Sequence, residues 1–202
     1  MDIVRLPSRS LQGRLAPRIA GWLMFALAAS LLFSAVVAAQ SDEPREVQLK
    51  AALLLNLAKF VEWPESAFDA ARAPIVFGIL GDQRVGFHLQ RMAVGERVQG
   101  RGIVIRYKRF GDDLRGCHVL FVGASERHHT AQILASRLQA VNVLTVSEID
   151  GFADAGGAIE IVMEEDRARF VVNLHAATQS KLHLSAKLLA LAQVVNHNQA
   201  AR

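Results

Sequence analysis

Ser125, in Gly123-Ala124-Ser125-Glu126-Arg127, is the residue whose setting comes nearest to covalent chemistry. It follows a strand-like run, as the nucleophile of an esterase does at a strand-to-helix turn. That turn needs a second glycine two residues on, and Arg127 stands there instead. A serine nucleophile also needs an oriented histidine and acid, which no spacing here supplies. A loop-capping serine is the better reading.

The seven histidines raise metal chemistry next. His118, His128 and His129 could converge at one end of a strand, but adjacent helical residues point about 100° apart and suit a single ion poorly. His175 and His183 flank a loop without matching carboxylates. Solvated or hydrogen-bonded histidines are therefore expected. Glu164-Glu165-Asp166 reads as a solvated hairpin tip rather than a cation site. Gly78, Gly81 and Gly86 lack the spacing of a phosphate-binding loop. Cys117, beside Gly116 and the apolar His118-Val119-Leu120-Phe121-Val122, reads as a small buried hydrophobe. It is the only cysteine, so no intrachain disulfide can form. No catalytic, metal or cofactor residue is assigned, and an enzyme is not expected.

The elements that would position these side chains alternate. A helix is expected from about Glu46 to Glu62, stopped by Pro64. Strands are expected at Ile75–Leu80, Gly102–Tyr107, Val119–Val122 and Val141–Val146. Between them fall a helix at Val85–Met92, a single helical turn at Asp112-Asp113-Leu114-Arg115, and a helix carrying Ala131, Ile133, Leu134, Ala135 and Leu138, with Gln132, Arg137 and Gln139 on its polar back. Ala158–Met163 and Ala168–Val172 read as a β-hairpin on an edge of the sheet. Ser185 then caps a final helix carrying Leu188, Leu189, Leu191, Val194 and Val195. The pattern predicts one α/β domain, with a mostly parallel sheet flanked by helices, a C-terminal hairpin and a last helix. The C-terminal end of its first strand is where such a sheet would hold a small ligand.

Residues 1–39 have the layout of an export signal: Arg5, Arg9, Arg14 and Arg18 precede the apolar run Ile19–Ala39, and Val37 and Ala39 suit cleavage before Gln40. The run is also long enough to remain as an uncleaved anchor. Removing the leader takes away four of 23 basic residues and one of 19 acidic ones, so residues 40–202 carry 19 against 18, a net +1. No basic cluster with interleaved aromatics is evident along this segment, and nucleic-acid binding is not expected.

Lys50-Ala51-Ala52-Leu53-Leu54-Leu55-Asn56-Leu57-Ala58-Lys59-Phe60-Val61-Glu62-Trp63-Pro64 is apolar nearly all the way round a helix, which suggests burial on every side or a partner. Joined by Ile79-Leu80-Gly81-Asp82, Cys117 to Val122, Val143 to Val146, Phe152, Gly156-Gly157, Phe170 to Asn173 and Ser185 to Leu189, it makes residues 40–202 resemble the YfiR-like family of periplasmic proteins. The resemblance implies an α/β domain that tends to dimerise and lacks catalytic residues. It further implies binding to the periplasmic part of an inner-membrane diguanylate cyclase, which is thereby held inactive, with effects on biofilm. The studied relative has cysteine pairs that respond to oxidation; with Cys117 alone, that gating is not expected here. Membrane contact is then expected only through an uncleaved N-terminal segment. Leu53, Phe60 and Trp63 are the candidate partner-interface residues, although Phe60 and Trp63 could equally close the domain's own core. A periplasmic small-molecule-binding or envelope-sensing module is the alternative reading.

Overall fold

Ile75–Leu80 and Val119–Val122 are apolar at every position, so neither face of such a strand can meet water and the sheet must be covered twice. The computed structural model, which describes residues 42–137, 142–164 and 167–195, has this architecture. Glu46–Arg202 form one unit. Its elements run α1 (Asp42–Lys59), β1 (Val61–Glu62), β2 (Ile75–Leu80), α2 (Gln83–Met92), β3 (Ile103–Lys108), β4 (Val119–Val122), α3 (Thr130–Arg137), β5 (Leu144–Ser147), β6 (Ile159–Glu164), β7 (Arg167–Asn173), α4 (Leu174–Gln179), β8 (His183–Leu184), α5 (Ala186–Ala190) and β9 (Ala192–Val195).

Seven strands form one sheet in the order β3-β2-β4-β5-β6-β7-β9. The first five are mutually parallel, β7 returns antiparallel to β6, and β9 lies parallel to β7. One face carries Ile75, Phe77, Ile79, Phe121, Val146 and Ile159, packed with Val47, Ala51, Leu54, Leu57 and Ala58 of α1. The other carries Leu80, Leu120 and Val122 against Ile133 and Leu134 of α3 and Phe152. Each fully buried large apolar side chain contributes about 1.5–3 kcal/mol.

Four expectations are corrected. Asp112 and Asp113 make no helical turn. Asp112 accepts the Arg109 N–H at 2.9 Å and Asp113 that of Arg115 at 2.9 Å, side-chain bonds that compete with helix. The final helix ends at Ala190, and Val194 and Val195 lie in β9, hydrogen-bonded beside Val172 and Asn173. Consequently the β6–β7 hairpin is not at the edge of the sheet; β9 is. The first helix stops at Lys59, and Val61 and Glu62 pair with Leu184 and His183 in a separate two-stranded ribbon. The export segment, Leu138, Gln139, Val141, Glu165 and Asp166 fall outside the described residues. Among the described residues no helix is long and apolar enough to cross a membrane.

Candidate functional site

The chain passes from β2 to β3 on one side and then to β4 on the other, so the C-terminal ends of β2 and β4 flank the crevice where open α/β sheets hold ligands. Here the loops fill it. A Cβ on Gly81, whose φ is +94°, would lie 2.6 Å from Ser125 Oγ and 2.9 Å from Glu126 Cγ; one on Gly123 would lie 3.0 Å from the Asp82 nitrogen. Ser125 Oγ donates to the Gly81 carbonyl at 3.1 Å, bracing one loop against another rather than capping the 3-10 turn it sits in, whose N-cap Gly123 has no side-chain bond. Asp82 caps α2 by accepting the Arg84 N–H at 3.0 Å. Burial works to raise its pKa, but the Arg84 hydrogen bonds outweigh that and hold the carboxyl below its usual range. A fixed negative charge thus occupies the helix N-terminus that an anion would need.

His118, His129 and Cys117 have structural work, whereas the buried His175 Nε2 has no hydrogen-bond partner among the described residues. His118 Nδ1 accepts the Val76 N–H at 3.1 Å, which assigns the proton to Nε2, 3.1 Å from the Ala67 carbonyl. Its ring stacks on Phe68 at 4.6 Å, and the Arg101 guanidinium lies 3.5 Å from the Phe68 centroid. Burial lowers the His118 pKa. His129 lies 3.0 Å from Glu126 and stacks on Phe110 at 4.0 Å. Among the described residues no group of three or more histidines, cysteines and acids is placed to hold a metal. Cys117 is buried, and a Cβ on Gly78 would come within 2.9 Å of its Sγ. Burial pushes its thiol pKa up, away from the reactive thiolate.

One buried cation was not foreseen. Lys50 of α1 is 6 % exposed and pairs with Glu46 at 2.5 Å and with Glu148. Burial works to lower its pKa, but the bonds to Glu148 and Glu46 prevail and raise it. Glu148 also accepts the Ala124 N–H at 3.1 Å, and Glu160 accepts those of Gly151 and Ala153. These acids line a cavity of about 250 Å³ with Asp150 and Met163, but three of them already serve the fold.

The YfiR/HmsC-like family profile matches residues 47–193, well over half of the chain. The chain belongs to the YfiR/HmsC-like family. No curated protein is significantly similar in sequence. Among solved structures, a conserved domain protein from Vibrio cholerae O1 biovar El Tor superposes with a TM-score of 0.43 at 11 % identity, over 59 % of this chain. The match spans 54 % of that protein's length, a little over half.

In this YfiR/HmsC-like chain α1 finds its cover within the domain. Trp63 is 7 % exposed, and its indole N–H donates to the Asn142 carbonyl at 3.0 Å, so it closes the core. Leu53 and Phe60 are half-buried against the same cluster. The large exposed apolar side chains lie elsewhere: Phe87 on α2, Val104 and Tyr107 on β3, Phe110 just beyond it, Val94, and Leu191 and Val194 at β9. They mark the two edges of the sheet. Sequence reading missed the first group because α2 and β3 are separated by a loop; the fold puts Gly86 of α2 directly under the Tyr107 ring.

Proposed function

We propose that this protein is an exported, non-catalytic regulator that binds the periplasmic part of an inner-membrane signalling enzyme, a diguanylate cyclase, and restrains it. Family membership over residues 47–193 carries the reading. A binding protein with higher affinity for the inactive conformer shifts the enzyme's population without chemistry of its own. That role suits a chain whose Ser125, His118 and Cys117 are all engaged in holding loops and core together. The ligand-binding alternative has less support, because the crevice between β2 and β4 is filled by Ser125 and Glu126.

Deleting the gene should raise cellular cyclic diguanylate, and the tagged protein should co-purify with a membrane cyclase. Unchanged cyclic diguanylate together with no such partner would refute the proposal. Self-association into a homodimer belongs to the same reading and is checked by light scattering on the purified protein.

A further inference from the structure

Residues 83–109 contain seven lysines and arginines and a single acid, Glu96, which is paired with Lys59 at 2.9 Å. Residues 40–202 are nearly neutral as a whole, yet this stretch is a local cationic excess with Phe87 and Tyr107 among it, contrary to the expectation of no such cluster. The fold gathers much of it at one edge. β3 is the terminal strand of the sheet and hydrogen-bonds to β2 as its one neighbour among the described residues. α2 packs against it, with no carboxylate in either element. Arg84 is held by Asp82, Arg91 sits 5.8 Å from the Phe87 ring, and half-buried Lys108 donates to the Asp113 carbonyl at 2.6 Å, with the Asp113 carboxylate, paired to Arg115, nearby. Arg106 is exposed and has no carboxylate partner among the described residues. Interleaved with these cations are Phe87, 55 % exposed, Tyr107, 46 %, and Val104, 38 %.

Two properties select what covers this edge. A free strand edge presents unmatched N–H and C=O groups, which suit an extended chain. The surplus of cations suits an acidic one. A second copy fits badly, because pairing β3 with itself brings Arg106 and Lys108 toward their own equivalents. A lipid surface would answer the charge but leave the strand edge unpaired.

We propose that the α2–β3 edge docks an extended acidic segment of a partner protein, added as a strand beside β3. Its carboxylates meet Arg106 and Lys108 on one face of the sheet, and its apolar side chains meet Tyr107 and Phe87 on the other, beside Arg91. The segment's assignment to the periplasmic part of the cyclase rests on the regulatory reading above; the edge itself does not.

The test compares the native protein with the double variant R91E/R106E, whose substituted side chains are both exposed. Its thermal unfolding midpoint should match that of the native protein. A short synthetic peptide of alternating glutamate and valine should bind the native protein, weaken with added salt, and bind the variant about tenfold more weakly. The lysine-for-glutamate counterpart should not bind. Equal binding of the acidic peptide to both forms, no binding to either, or a preference for phosphatidylglycerol vesicles over the peptide would overturn the proposal. Titrating the cyclase's periplasmic part separates the two ideas. If it binds native protein and variant alike, the docking edge is wrong and the regulatory reading stands. If it binds neither while the peptide discriminates, the regulatory reading fails and the edge stands.

Discussion

His118 is held as a neutral ring: Nδ1 must stay unprotonated to accept the Val76 N–H, and burial disfavours the cation. The Ala67 carbonyl and Asp69 favour protonation, whereas Arg101 and Arg106 oppose it further. The folded pKa is depressed, so the unfolded chain takes up its proton first. Stability from this residue is therefore complete above the unfolded pKa of about 6.5 and is lost as pH falls below it, by up to about 1.4 kcal/mol per unit. Melting curves from about pH 7.5 to 5.5 should fall for the native protein and flatten in His118→Asn, which keeps an acceptor but cannot be protonated. Equal slopes would contradict this account. Cys117 leads to a second expectation: iodoacetamide should modify it only after unfolding, since its thiol is buried over Gly78. Gly78→Ala should cost about 1–3 kcal/mol by overpacking against that sulfur. The burial of Cys117 was legible from its immediate neighbours, a glycine and an apolar strand. The pairing of Lys50 was not, because Glu148 is remote in sequence and only the fold brings it to α1.

Among the elements, β4 was legible to the residue because a four-residue apolar run between Gly123 and the Cys117 loop has one plausible state. β9 was read as helix because Leu188 to Val195 is apolar at spacings that suit either structure. What decides it is non-local, namely the β7 edge offering partners to Ala192–Val195, and a helix of this length has little stability of its own. Ser185 still caps α5, accepting the Leu188 N–H at 3.3 Å; Ser185→Ala should cost about 1 kcal/mol, read from chemical denaturation. α1 offers the sharper comparison. Its apolar circumference suggested a partner, yet the sheet and the C-terminal segment, with Leu182 and Leu188, bury most of it. Leu54 is fully buried, so Leu54→Ala should cost about 2–5 kcal/mol. Half-buried Leu53 should tolerate aspartate with the fold retained while binding to the cyclase partner proposed above weakens. Unfolding of Leu53→Asp would show that this position belongs to the core alone.

For the molecule as a whole, near-neutral composition concealed the most useful signal. Averaging over residues 40–202 gives +1, but positive charge concentrates between residues 83 and 109, and only the packing of α2 on β3 turns that stretch into a surface. The opposite edge of the sheet differs in kind. β9 reads Ala-Gln-Val-Val, without a charge, and exposes Val194 at 41 % beside Leu191 at 71 %. Two-fold pairing of β9 with its own copy sets neutral, apolar side chains against one another, whereas the same operation on β3 opposes like charges. If the protein forms the homodimer proposed above, the contact therefore belongs at β9. Val194→Lys places a charge on that edge, a change that deters edge-to-edge pairing, at an exposed position where the fold should tolerate it. Light scattering should then report a monomer for Val194→Lys and an unchanged dimer for R91E/R106E. The reverse pattern would move self-association to the β3 edge and remove the case for an acidic partner there.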